Sequence, residues 1–418
     1  MGTKFTVLRA CLAAIVATAT ACGNEPETTL PVKAQVVTWL AFDQASETPT
    51  FGVREETLTG LTDFDGLTGA HVRILRGGEL VAREVAGSVV LDGRFSKGQP
   101  PSLRYVLDDG VVVPRDYSSF AMLSAYHAFE QSFAGVQRVL AVGISDLGGK
   151  APIDVFFEPE IRVIGKTSGT ITQKFNAFFV PGAHQFGLAR RSGLERTPLA
   201  ADQMVISHEI GHLIFDRFFY QNKPAKCGSE GVPLPARDRI GLEYAISGIN
   251  EGMADFVSFA VTGSTDVLAS QPKVDAQRSL TKNVYDFTMV NRDCDKSFYC
   301  VGTVFARSLF QAFIAQGGNA AQEVSRGAYG RQVMAALEGI LDKLAARTDL
   351  PAATDGSQCE DRTELFRANH DGLVLGAFLD TLAAQVPVET SAALCKSFAN
   401  NFGTSGFPNA MRDTCKLN

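Results

Sequence analysis

Residues 207–213 read SHEIGHL. Two histidines four apart fall on one face of a helix, about 40° apart at 3.6 residues per turn. Both imidazoles can therefore reach one ion at about 2.0–2.1 Å. Glu209 sits on the neighbouring side of that face, placed to hold a water on the same ion without ligating it. This pattern constrains the fold more than any other stretch. A working site needs a third protein ligand from elsewhere in the chain, and a fourth position left open. The bland alternative is a helix whose two histidines face solvent or core.

The missing carboxylate is available in GINEGMADFVSFA (248–260). Glu251 and Asp255 are again four apart, on one helical face. Glu251 can be the third ligand. Asp255 can accept the other ring N–H of a ligand histidine and fix its tautomer. Alone, this pair would read as a solvated acidic stripe. A competing pattern places a glycine and a third histidine shortly after the first two. Phe215 and Phe218 occupy those places and exclude it.

The rest of the chain supplies elements around these two helices. From 35 to about 113, short apolar runs alternate with Gly, Asp and Pro, and Gly-Gly at 77–78 and Asp-Gly at 92–93 and 109–110 are hairpin signals. A small antiparallel β-domain is expected there. YSSFAMLSAYHAFEQSFAG (117–135) has helical spacing. RVLAVGI, PIDVFFEPEIRVI and TQKFNAFFVPG read as strands. Thr197 and Pro198 can open the SHEIGHL helix, which should stop near 222. From 303 onward the pattern is mostly helical. The remaining histidines, His71, His127, His184 and His370, are isolated and read as structural or surface residues.

The N-terminus carries Lys4 and Arg9 and then a short apolar run, ACLAAIVATATA, too short to span a bilayer. It ends in small residues before Cys22, which resembles the lipobox of bacterial lipoproteins. That resemblance implies a signal at 1–21, a lipidated Cys22 and a bacterial envelope location, with the outer membrane favoured; an ordinary secretory signal is the alternative. Residues 22–34 read as a tether. Net charge is −6 without a basic run, so nucleic acid is not an expected partner. Six further cysteines in an oxidising compartment suggest disulfides, with Cys294–Cys300 and Cys395–Cys415 as candidate pairs.

HEIGH and NEGMAD together resemble the two metal motifs of thermolysin-like gluzincin metallopeptidases, and over about 117–315 the chain looks partly like fungalysins. The resemblance implies an α+β fold: a zincin-like catalytic lobe at 114–265 with mixed sheet and active-site helix, a helical C-terminal lobe at 266–418, and the small β-domain at 35–113 before them. It implies one Zn(2+) held by His208, His212 and Glu251, with Glu209 as general base and a peptide or protein as substrate. NAFF (176–179) resembles the strand that pairs with substrate backbone through Asn176 and Ala177. QRSL (277–280) resembles the stretch whose arginine binds a substrate carbonyl, here Arg278. YCVGTVFARSLF (299–310) resembles the late helix that opens on a catalytic histidine. Tyr299 stands in that place, and a tyrosine hydroxyl can donate to an oxyanion but cannot be a cation at neutral pH. Tyr220 and Tyr244 are other candidates for that role. His212 and Glu251 are 39 residues apart, longer than in thermolysin-like chains. The alternative function is a catalytically impaired zinc-binding lipoprotein that recognises peptides or envelope proteins.

Overall fold

The structure, a computed structural model, describes residues 30–43, 48–85, 88–90, 94–147, 151–164, 169–171, 176–189, 199–219, 240–267, 278–281, 298–345, 372–402 and 415. Cys22 and its flanks lie outside these residues, as do Cys294, Tyr220 and His370. Among the described residues no helix is long and apolar enough to cross a membrane.

Helix α1 (Tyr117–Leu140) starts where Asp116 accepts a hydrogen bond from the backbone N–H of Ser119 at 2.7 Å, satisfying one of the free N–H groups of the first turn. It runs past Gly135, where the spacing alone suggested an end. A Cβ at Gly135 would lie 2.6 Å from Cγ1 of Val261, so this glycine serves a close passage between helices. The first residues of the expected strand RVLAVGI are therefore the last turn of α1. Helix α2 (Gln203–Phe219) carries SHEIGHL. Asp202, rather than Thr197, caps it, accepting from the N–H of Met204 at 2.9 Å; Thr197 lies outside the described residues. Helix α3 (Ile240–Thr262) carries NEGMAD. Helices α4 (Phe298–Ala315), α5 (Glu323–Ala345), α6 (Gly372–Gln385) and α7 (Val388–Phe402) follow. Cys395 on α7 is bonded to Cys415, as the spacing suggested.

The strands form several small mixed sheets. One has the order β2-β1-β7-β6, from Thr48–Thr57, Lys33–Asp43, Val111–Pro114 and Tyr105–Asp108. Asp109 and Gly110, at φ 47° and 78°, turn β6 into β7 as the Asp-Gly signal predicts. A second has the order β11-β12-β8-β3, from Asn176–Val180, Gln185–Ala189, Ile153–Phe157 and Val72–Arg76. A third has the order β10-β9-β4-β5, from Gly169–Ile171, Glu160–Ile164, Glu79–Val85 and Ser88–Val90.

The expected antiparallel domain at 35–113 does not close on itself. β3 runs parallel to β8, and β4 runs parallel to β9. Gly77–Gly78 therefore makes a crossing between sheets, not a hairpin. Both have positive φ, and a Cβ on Gly78 would sit 2.6 Å from the Phe156 ring. The glycines let the chain step over that ring from one sheet to the next. One contiguous apolar core then links β1, β3, α1, α2, α3, α4 and α7 through Val36, Ile74, Phe129, Ile210, Phe256, Phe305 and Phe398.

Within this core the helices that matter most cross closely. A Cβ on Gly211 of α2 would fall 2.6 Å from Cα of Ala254 on α3. A Cβ on Gly302 of α4 would fall 2.7 Å from Cβ of Glu251. In an open helix, Gly→Ala would gain about 1 kcal/mol in helix propensity. Gly211→Ala should instead destabilise the protein by about 1–3 kcal/mol through overpacking, read by urea unfolding. A variant as stable as the parent would mean that α2 and α3 do not cross at this point.

Candidate metal centre

α2 and α3 bring His208, His212 and Glu251 together, with one ligand atom of each within 4.8 Å of the others. Nε2 of His208 lies 3.4 Å from Oε2 of Glu251, and Nε2 of His212 lies 3.7 Å from Oε1. Two ligand atoms bound to one zinc-sized ion at the tetrahedral angle stand about 3.3–3.4 Å apart. The triad can thus hold a metal ion with little movement.

Each imidazole is oriented from behind. Nδ1 of His208 stands 2.9 Å from Oδ1 of Asp255, which is fully buried. Nδ1 of His212 donates to Oδ1 of Asn250 at 2.9 Å. With Nδ1 of His212 hydrogen-bonded and Nδ1 of His208 within ion-pair range of Asp255, both Nε2 atoms are left facing the Glu251 carboxylate, the nitrogens a metal would use once His208 is neutral. Among the described residues, Asp255 is the carboxylate nearest to Nδ1 of His208. Asn250 was not foreseen. Its signal is a poor helix former in a helix interior, directly before the candidate ligand.

Charge is dense here. Burial and the Arg278 cation work against the His208 imidazolium, but Asp255 and Glu251 outweigh them and push its pKa up to about 9. Burial also opposes the Glu251 anion, yet His212, Arg278 and His208 hold its carboxyl well below the usual range. Glu209 is buried and its carboxyl is raised, mainly by that burial.

The other expected site residues fall as follows. Arg278 lies on β14 (Arg278–Ser279), which pairs with β13 (Asp266–Val267) just after α3. Its Nη1 donates to Oε2 of Glu251 at 2.7 Å. Tyr299, at the start of α4, has its ring 4.9 Å from the Arg278 guanidinium carbon. Desolvation and the charge of Glu251 push its phenol up to about 12, so it stays a hydrogen-bond donor at neutral pH. Ala177 is buried in β11, and Asn176 opens that strand. β11 is an edge strand with β12 as its one neighbour among the described residues, and α2 packs against it. His184, in the turn between β11 and β12, faces α2, its Nδ1 accepting from Arg217 at 2.9 Å and its Nε2 3.4 Å from Asp216. His71 pairs with the buried Glu130 and stacks on Phe133, and His127 is buried in α1, so these two are structural.

The chain matches no protein-family model and no curated protein.

A metal needs His208 neutral. Below about pH 9 the ion must displace its proton, so uptake should release about one proton, and affinity should fall as pH drops from about 8 to 6. Calorimetry in buffers of different ionisation enthalpy reads this directly. Proton-free uptake would contradict the arrangement. Asp255→Asn should weaken metal binding by about 10–100-fold, measured by competition with a chelator; affinity equal to the parent would reduce Asp255 to a packing residue.

Proposed function

We propose that the protein is an exported zinc metallopeptidase of the gluzincin type. The observation that carries the reading is the place of Glu209. It is buried within electrostatic reach of His208, His212, Glu251 and Arg278, but stands outside the ligand triad. A binding site needs no such group, whereas a hydrolase needs a base beside its metal.

When bound, zinc would polarise a scissile carbonyl and acidify a water. Glu209 takes the proton of the attacking water and passes it to the leaving amine. Burial suits it to both tasks, because it raises the carboxyl toward working pH. Tyr299 donates its protonated phenol to the oxyanion. The edge of β11 that has no neighbour among the described residues would take an extended peptide, in the manner of strand addition. The zincin lobes, a lipid on Cys22 and an envelope location belong to the same proposal, supported by the motifs and the N-terminal segment.

The second reading is a zinc-binding lipoprotein that recognises peptides without cleaving them. What favours it is Tyr299 in the place of a catalytic histidine.

Glu209→Gln separates the two. It keeps the shape of the side chain but removes the base, so zinc content and folding should persist while hydrolysis of denatured casein falls by about 10²–10⁴-fold. Loss of zinc in this variant would make Glu209 a ligand. A parent that holds one zinc and cleaves nothing, with or without chelator, would establish the binding reading.

A further inference from the structure

We propose that Arg278 is a positioning residue of the metal centre, fixing the plane of the Glu251 carboxylate and thereby setting metal affinity. This rests on the metal-site part of the reading above and not on hydrolysis. The resemblance sends this guanidinium to a substrate carbonyl. Its surroundings give it other work.

Its Nη1 donates to Oε2 of Glu251 at 2.7 Å and lies 3.5 Å from Oδ1 of Asp255. The guanidinium carbon lies over the Tyr299 ring, 4.9 Å from its centroid. The side chain is largely buried, at 11% exposed. Its backbone is anchored as well. Arg278 is paired with Val267, and the N–H of Leu280 donates to the carbonyl of Thr265 at 2.8 Å. A short ribbon at the end of α3 thus aims one cation at two carboxylates of that helix.

The terminal torsion of a glutamate is broad, so nothing intrinsic holds its carboxylate in one plane. Glu251 must present that carboxylate to two imidazoles at once, at 3.4 and 3.7 Å. A charged, planar donor on Oε2 fixes the plane. Two effects compete. Arg278 places positive charge beside an incoming cation, which weakens binding. It also keeps two buried carboxylates on one helix face from repelling each other, and it holds a ligand in register. Its charge is already shared between Glu251 and Asp255, so repulsion of the ion is blunted and positioning dominates.

The test measures zinc affinity of the full chain by competition with a fluorescent chelator, with thermal unfolding of the zinc-free proteins as a check on folding. Arg278→Gln should bind zinc about 10–100-fold more weakly than the parent while unfolding as one cooperative unit. Arg278→Lys keeps the charge as a point donor without the fork, and should recover part of the loss. Unchanged or tighter binding by folded Arg278→Gln overturns the proposal. Should Arg278→Gln not fold, Arg278→Lys alone decides, and parental affinity in it overturns the proposal. A parent that binds zinc but cleaves no casein sinks the peptidase reading and leaves this role standing if Arg278→Gln weakens zinc. A parent that binds no zinc overturns both.

Discussion

The site depends on how closely three helices can approach. Glu251 reaches the two imidazoles because α2 and α3 touch backbone to backbone where Gly211 meets Ala254. The other side of α3 is fixed in the same way, since a Cβ on Gly252 would fall 2.6 Å from the carbonyl oxygen of Gly302 on α4. Small residues at a crossing shorten the distance between helix axes. Here three of them sit inside or beside the residues that carry the chemistry. Gly211 lies between His208 and His212 in position, and Gly252 follows Glu251. The glycine of HEIGH is thus a packing residue, on which the geometry of the candidate metal triad depends.

Close approach would be costly without charge balance. Glu209, Glu251 and Asp255 are all buried. Unpaired, each would give up its charge rather than stay in a dry interior. Arg278 meets two of them, and His208 meets the same two, at Oε2 of Glu251 and Oδ1 of Asp255. No ion pair to Glu209 is formed among the described residues, and its carboxyl is raised while that of Glu251 is lowered. Two glutamates on packed helices thus diverge in acidity because neighbouring cations outweigh burial for one and burial outweighs them for the other. In the proposed reading, that divergence would separate a ligand, which must stay charged, from a base, which must exchange a proton.

The centre was legible in the sequence because helical spacing is a strong local rule. His208 with His212, and Glu251 with Asp255, each required only that four residues make about one turn. The fold around them was less legible. Gly77–Gly78 has the composition of a hairpin turn, but its conformation is set by the Phe156 ring, contributed by a strand far along the chain. Parallel pairing of β3 with β8 and of β4 with β9 likewise depends on segments separated by the whole of α1. No local pattern carries that information. Gly135 misled for the same reason, since its partner is Val261 on α3. The contact of Arg278 with Glu251 and Asp255 was not legible either, because a motif reports that an arginine is near a site and not which oxygens it meets.

The edge strand and the metal helix are also joined as one unit, and this bears on how a peptide would be held. His184 closes the turn after β11 in a left-handed conformation, φ 49°, which costs a non-glycine residue some strain. The strain is offset by its contacts with Asp216 and Arg217. Asp216 is four residues past His212, so the turn is fastened to α2 about one helical turn beyond the candidate ligands. Phe179 of β11 stacks on the same imidazole. A peptide added to β11 would therefore be aligned against the helix that presents Glu209, by contacts independent of the metal. In the proposed reading, binding register and proton transfer share one rigid frame, and loss of the ion would leave the strand edge in place.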